Sequence, residues 1–165
     1  MTLKEKINQD FKDAFKAKEE LKVSVLRMLN SAIKNKEVEK RTKLSKTDVS
    51  GVDELERQSQ LTDEETLAVI SAEAKRRKDS IEQYRAGGRT ELATQEEAEL
   101  KILAVYLPEQ LNEEEIKKLV KEAIASSGAA GAADLGKVMK ILASQTKGKA
   151  DGNLVNRIVR EELGN

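Results

Sequence analysis

Apolar residues recur every third or fourth position through most of this chain, and a single proline, Pro108, interrupts them. That spacing puts side chains on one face of an α-helix. The abundant Ala, Leu, Glu and Lys favour the same state, as does the shortage of aromatic residues, which number four: Phe11, Phe15, Tyr84 and Tyr106. The expected class is therefore all-α and multihelical.

Helix starts are written locally. Thr2 followed by Glu5, Thr62 followed by Glu65, and Asn112 followed by Glu115 each place a capping side chain three residues before an acid that can reach back. After Thr2, the residues Leu3, Ile7, Phe11, Ala14 and Phe15 share a face. A second helix from about Lys18 carries Leu21, Val25, Met28, Leu29, Ala32 and Ile33, and its charged end, residues 34–41, is expected to project into solvent. Residues 42–60 hold no sustained stripe and are read as a mobile loop with a short turn of helix near 52–57. A long helix follows Thr62 with Leu67, Ile70, Ala74, Arg77, Ile81 and Tyr84 on its face, and it ends at Gly87-Gly88. Thr90 is expected to cap the next helix, with Leu92, Leu100, Leu103 and Leu107 inward. Pro108 stops it.

Beyond Pro108 the composition shifts, with six of the nine glycines at Gly128 or later. Three short amphipathic helices are expected there. The first carries Ile116, Leu119, Val120 and Ala123, the second Leu135, Val138, Met139 and Leu142, and the third Leu154, Val155, Ile158 and Leu163. The domain reading is an N-terminal helical bundle over 1–107 and a small three-helix domain over 108–165. Gly136, in the second of these helices, is read as a close-packing position.

Several classes of chemistry are excluded. The chain has no Cys and no His, so it cannot supply a zinc finger, an Fe–S ligand set, a Cys nucleophile or a His-based triad. Lys78 and Ser80 point apart on a helix. Ser144 and Lys147 could meet, but no oxyanion-stabilising motif surrounds them. The acidic runs 63–65 and 113–115 sit at helix starts, where they favour the macrodipole. No catalytic residue, no metal ligand and no cofactor is assigned. The longest apolar run, 102–107, is far too short to span a bilayer, and the expected setting is cytoplasmic, with no membrane partner.

Charge is balanced overall, with 30 basic and 30 acidic residues, but not locally. Between 137 and 160 the basic residues are Lys137, Lys140, Lys147, Lys149, Arg157 and Arg160, and the single acid is Asp151, a surplus of five. Such a cluster is either a solvated face or a surface for a nucleic-acid backbone. The run Lys147-Gly148-Lys149-Ala150-Asp151-Gly152 lacks the Gly-Lys-[Ser/Thr] order of a phosphate-binding P-loop. Its local reading is a helix end at Gly148 and a helix start at Asp151. Lys75-Arg76-Arg77-Lys78 spreads around its helix and is read as solvated.

Four segments together resemble the GatB/YqeY family. They are Arg76-Arg77-Lys78-Asp79-Ser80-Ile81-Glu82-Gln83-Tyr84, Tyr106-Leu107-Pro108-Glu109-Gln110-Leu111, Gly136-Lys137-Val138-Met139, and Lys147-Gly148-Lys149-Ala150-Asp151-Gly152. Their order and spacing are similar to free-standing YqeY-like proteins, with residues 42–60 looking like an insertion. The resemblance implies two helical subdomains. It also implies a relation to the tail of the tRNA-dependent amidotransferase B subunit, which helps hold the tRNA body. From it follow tRNA as an expected partner, an amidotransferase or tRNA-synthetase-associated protein as a further one, and a family label of carbon–nitrogen ligase with glutamine as amide donor. It turns the basic cluster toward RNA. The rival readings are a component of amide transfer acting with partner subunits, and a protein-interaction scaffold without RNA.

Overall fold

The computed structural model describes residues 1–47 and 51–164. Among them are eight α-helices and no strand: α1 (Leu3–Ala17), α2 (Glu20–Leu44), α3 (Val52–Ser59), α4 (Asp63–Ala86), α5 (Thr90–Ala104), α6 (Glu113–Ser127), α7 (Leu135–Thr146) and α8 (Gly152–Glu162). A 3-10 turn, Ala132–Asp134, leads into α7. The chain divides into two compact units, Met1–Tyr106 and Leu107–Asn165.

All three capping boxes form, with Thr2, Thr62 and Asn112 each accepting from the amide three residues on and each partner glutamate reaching back. Thr90 does not cap α5. It is the first helical residue, behind Arg89, whose side chain makes no capping bond. Gly88 takes φ +70° after α4, and Arg89 N donates to Tyr84 O across that turn. The corner between α1 and α2 uses Lys18 at φ 57°, a left-handed position usually given to glycine.

In the first unit α1 packs on α2, α4 on α5, and both hairpins meet through α2. Buried there are Ile7, Ala14, Val25, Leu26, Leu29, Ile33, Ile70, Ala74, Ile81, Ala93, Leu103 and Tyr106. Four expected core residues are exposed. Phe15 is 64% exposed, Met28 52%, Leu21 41% and Leu92 39%, because the burial stripe on each helix is narrower and turned relative to the apolar run. Leu26 and Ala93 take the inward positions instead.

Two charged residues correct the solvated readings. Glu37 lies in the supposedly projecting end of α2, yet it is buried, ion-paired to Lys4 and accepting from Leu61 N at 3.3 Å. Lys4 also donates to Gln60 Oε1 at 2.7 Å, and Lys40 donates to Gln60 O at 3.0 Å and Glu65 at 2.7 Å. These contacts tie residues 60–65 to α1 and α2. Arg77 leaves the solvated 75–78 run and is buried on α4, in the phase its place in the Ile70–Ile81 stripe gives it, between Glu73 on the same helix and Glu99 of α5.

The expected 42–60 loop is in good part helical. α2 continues to Leu44 and α3 occupies Val52–Ser59, while residues 48–50 of that expected loop lie outside the described residues. The short turn of helix expected near 52–57 is α3, while the continuation of α2 to Leu44 is unexpected, because its far end carries no apolar stripe.

In the second unit α6, α7 and α8 pack on one another around Ile116, Val120, Ala123, Val138, Leu142, Val155, Ile158 and Val159. Gly136 has open space where a Cβ would stand, so it is not the close-packing position expected.

Candidate nucleic-acid interface

All six residues of the basic cluster are exposed. The reason is geometric. On α7 the inward positions are Val138, Leu142 and Thr146, which turns Lys137 and Lys140 away from the core. On α8 the inward positions are Val155, Ile158 and Val159, which does the same for Arg157 and Arg160.

Lys147 and Lys149 stand in the connection between these helices, and that connection is closely bonded. Gly148 takes φ +73°, and Lys147 N donates to Ala143 O at 3.1 Å. The amides of Lys149 and Ala150 both return to Thr146 O, at 2.9 and 3.0 Å. From outside the turn, Leu111 N donates to Lys149 O at 2.8 Å, and the Gln110 carboxamide donates to both Gly148 O and Pro108 O at 2.8 Å. Asp151 then caps α8 by accepting from Asn153 N at 2.8 Å and Leu154 N at 3.2 Å. The segment after Pro108 and the Lys-Gly-Lys turn thus form one bonded unit. Neither segment's sequence predicts this pairing, because the partners are 38 residues apart.

The cluster is less electropositive in space than in sequence. Lys137 pairs with Asp134 at 3.1 Å, and Arg157 reaches Glu113 of α6 at 3.7 Å and Glu161 at 3.6 Å. Asp134 is held below its ordinary range by the Ala130 amide and by Lys137. Counting those three acids lowers the surplus from five to two. Arg160 Nε donates to Asn156 Oδ1 at 2.9 Å. Arg157 and Arg160 line a shallow depression of about 430 Å³ with Asn153, Asn156 and Glu161, and the four lysines do not line it. Among the described residues, no carboxylate lies within ion-pair distance of Lys140 or Lys149.

Ser144, considered as a nucleophile, gives its hydroxyl to Ile141 O at 3.3 Å. Among the described residues no group of three or more acidic side chains is placed to hold a metal ion, and no helix is long and apolar enough to cross a membrane.

The fold and the bonded motif segments define a two-unit, all-helical protein. The Yqey-like protein family matches it over residues 4–52 and 52–163, and the chain belongs to that family. The two matched stretches meet at residue 52, inside the 42–60 segment. The chain is also similar to a protein of Vanderwaltozyma polyspora named "Altered inheritance of mitochondria protein 41, mitochondrial". They are 37% identical over 103 residues, which cover 61% of this chain and 46% of that relative. The aligned stretch thus spans about half of the relative's length.

Proposed function

We propose that this protein is a non-catalytic accessory module that holds the body of a folded tRNA through its second unit. The observation that carries the reading is the Lys147-Gly148-Lys149 turn. Its backbone is pinned by Gln110 and Leu111, and its two lysines are exposed, as is Lys140 on α7. A pinned backbone lowers the entropic cost of contacting phosphates. Lys140 and Lys149 lack a competing carboxylate among the described residues, so their charge is available to a polyanion. The similarity to the amidotransferase B-subunit tail supplies the RNA class. Amide transfer itself would reside in partner proteins.

Contacts of this kind position RNA without reading its sequence. Binding is therefore expected to depend on salt and on the folded shape, and weakly on sequence. The test is binding of bulk tRNA to the full chain across salt concentrations, for wild type and for Lys140→Glu with Lys149→Glu. Both sites are exposed, so helicity is expected to be unchanged. The double variant is expected to bind more weakly, with a salt slope shallower by about one unit per lost phosphate contact. Unchanged affinity and slope would refute the reading and favour a scaffold without RNA.

A further inference from the structure

Two of the chain's four aromatic side chains lie on α1 outside the fully buried core, Phe11 half-buried against α2 and Phe15 exposed. Phe11 and Phe15 are one turn apart with ring centroids at 6.5 Å, and Phe15 is largely exposed. Phe11 forms one wall of an open depression of about 360 Å³. The rest is supplied by α2: Arg27, Asn30, Ser31, Lys34 and Asn35.

The chemistry of this lining differs from that of two other depressions on the surface. The groove between α2 and α4 includes Glu39, Glu65 and Glu73, and the depression on α8 includes Glu161. Here the lining holds two cations and no acid. Ion pairs are common in this protein, yet among the described residues Arg27 and Lys34 pair with no carboxylate. The carboxamides of Asn30 and Asn35 likewise have no protein partner among the described residues. Ser31 Oγ donates to Arg27 O at 3.0 Å, leaving its lone pairs open.

An aromatic face, two unpaired cations, two free carboxamides and a hydroxyl within one depression match the parts of a nucleotide. A base can stack on the ring, with its edges bonded by the amides. A phosphate can be held by the guanidinium and the ammonium. The size suits one nucleotide, since small-ligand sites run from about 300 to 1,000 Å³. We infer that the α1–α2 hairpin binds a nucleoside monophosphate unit, with its base on Phe11 and its phosphate on Arg27 and Lys34. Four aromatics cannot build a long stacking track, and the site needs only one. The inference is independent of the tRNA-body reading, which concerns the other unit.

Two sources share this chemistry, a free nucleotide and an unpaired nucleotide of an RNA strand. The experiment titrates the full chain with AMP in one arm and with an eight-residue oligoadenylate in the other. Amide resonances of Asn30, Ser31 and Asn35 are followed by NMR, and oligonucleotide affinity by anisotropy. Shifts saturating with AMP alone assign the site to a free nucleotide. Shifts that need the oligonucleotide assign it to a strand. Phe11→Leu keeps the apolar contact and removes the stacking face. It is expected to weaken binding about fivefold or more with the salt slope unchanged. Arg27→Glu with Lys34→Glu is expected to flatten the slope by about 0.7, the single-strand value for the one phosphate they hold. Two outcomes overturn the inference: neither ligand moves these resonances, or both variants bind the ligand that moves them as wild type does. Lys140→Glu with Lys149→Glu, read on folded tRNA, tests the other unit, so either idea can fail alone.

Discussion

Replacing Arg77 with methionine tests the ion network that fastens α5 to α4. The guanidinium lies with NH2 3.0 Å and Nε 3.2 Å from Glu99 Oε2, and with NH1 3.4 Å from Glu73 Oε2. The Arg77 side chain is 6% exposed, and its two carboxylate partners are 15% and 16% exposed. Methionine keeps an apolar stem and removes the charge. Glu73 retains Arg76 at 2.7 Å, so Glu99 is the group left nearly buried without a cation. Removing one member of a buried pair costs about 3–5 kcal/mol, and the residual solvent at Glu99 puts this case near 3 kcal/mol. For a unit of this size about 3 kcal/mol lowers Tm by about 12 °C. Calorimetry and urea titration of the full chain measure it. The control is the double variant Arg77→Met with Glu99→Met, in which no charge is stranded. It is expected to recover most of the loss, because a buried pair is often replaceable by apolar side chains. A single variant within about 1 kcal/mol of wild type, or a double variant no better than the single, would show that water already solvates this network.

Other expectations follow from the same structure. Lys18→Gly relieves a left-handed lysine and is expected to raise stability by up to about 1 kcal/mol, measured by urea titration, with any decrease refuting the strain assigned to that corner. Leu142→Ala opens a cavity in the small core of the second unit and costs about 2–5 kcal/mol, so the amide signals of α6–α8 should lose protection while those of α1–α5 keep it. Lys36 and Lys43 hold Glu39 down from its ordinary 4.5 to about 2, and Lys40 with the Thr62 amide lowers Glu65. Both folded-state values lie below the unfolded ones, so the stabilisation is present above about pH 4.5 and is lost on acidification, for Glu39 as the pH falls toward 2. Denaturation midpoints should decline across that window and less so in high salt, because both groups are exposed. The purified chain alone should form no glutaminyl-tRNA from glutamyl-tRNA and glutamine, and turnover above buffer would refute the accessory reading.

Features whose partners lie within four residues were legible in the sequence. The capping boxes at Thr2, Thr62 and Asn112 and the Asp151 cap are local contests between a side chain and a few backbone amides, and these take the expected form. The expected Thr90 cap does not form, and α5 ends at Ala104, which leaves Leu107 outside the helix. The exposure of Lys137, Lys140, Arg157 and Arg160 was legible for the same reason, since it follows from their phase against Val138, Leu142 and Ile158. What the tertiary structure decided is which phase of a broad apolar run is buried and which charges find partners. Phe15 is left outside and Leu26 taken in because several helices compete for the same interior. Glu37 and Arg77 are buried because Lys4 and Glu99, 33 and 22 residues away, arrive to compensate them. Lys137 and Arg157 lose much of their field to Asp134, Glu113 and Glu161, and Lys149 is pinned by Leu111. Pairing at such separations depends on how the helices pack, and helical periodicity carries no record of it.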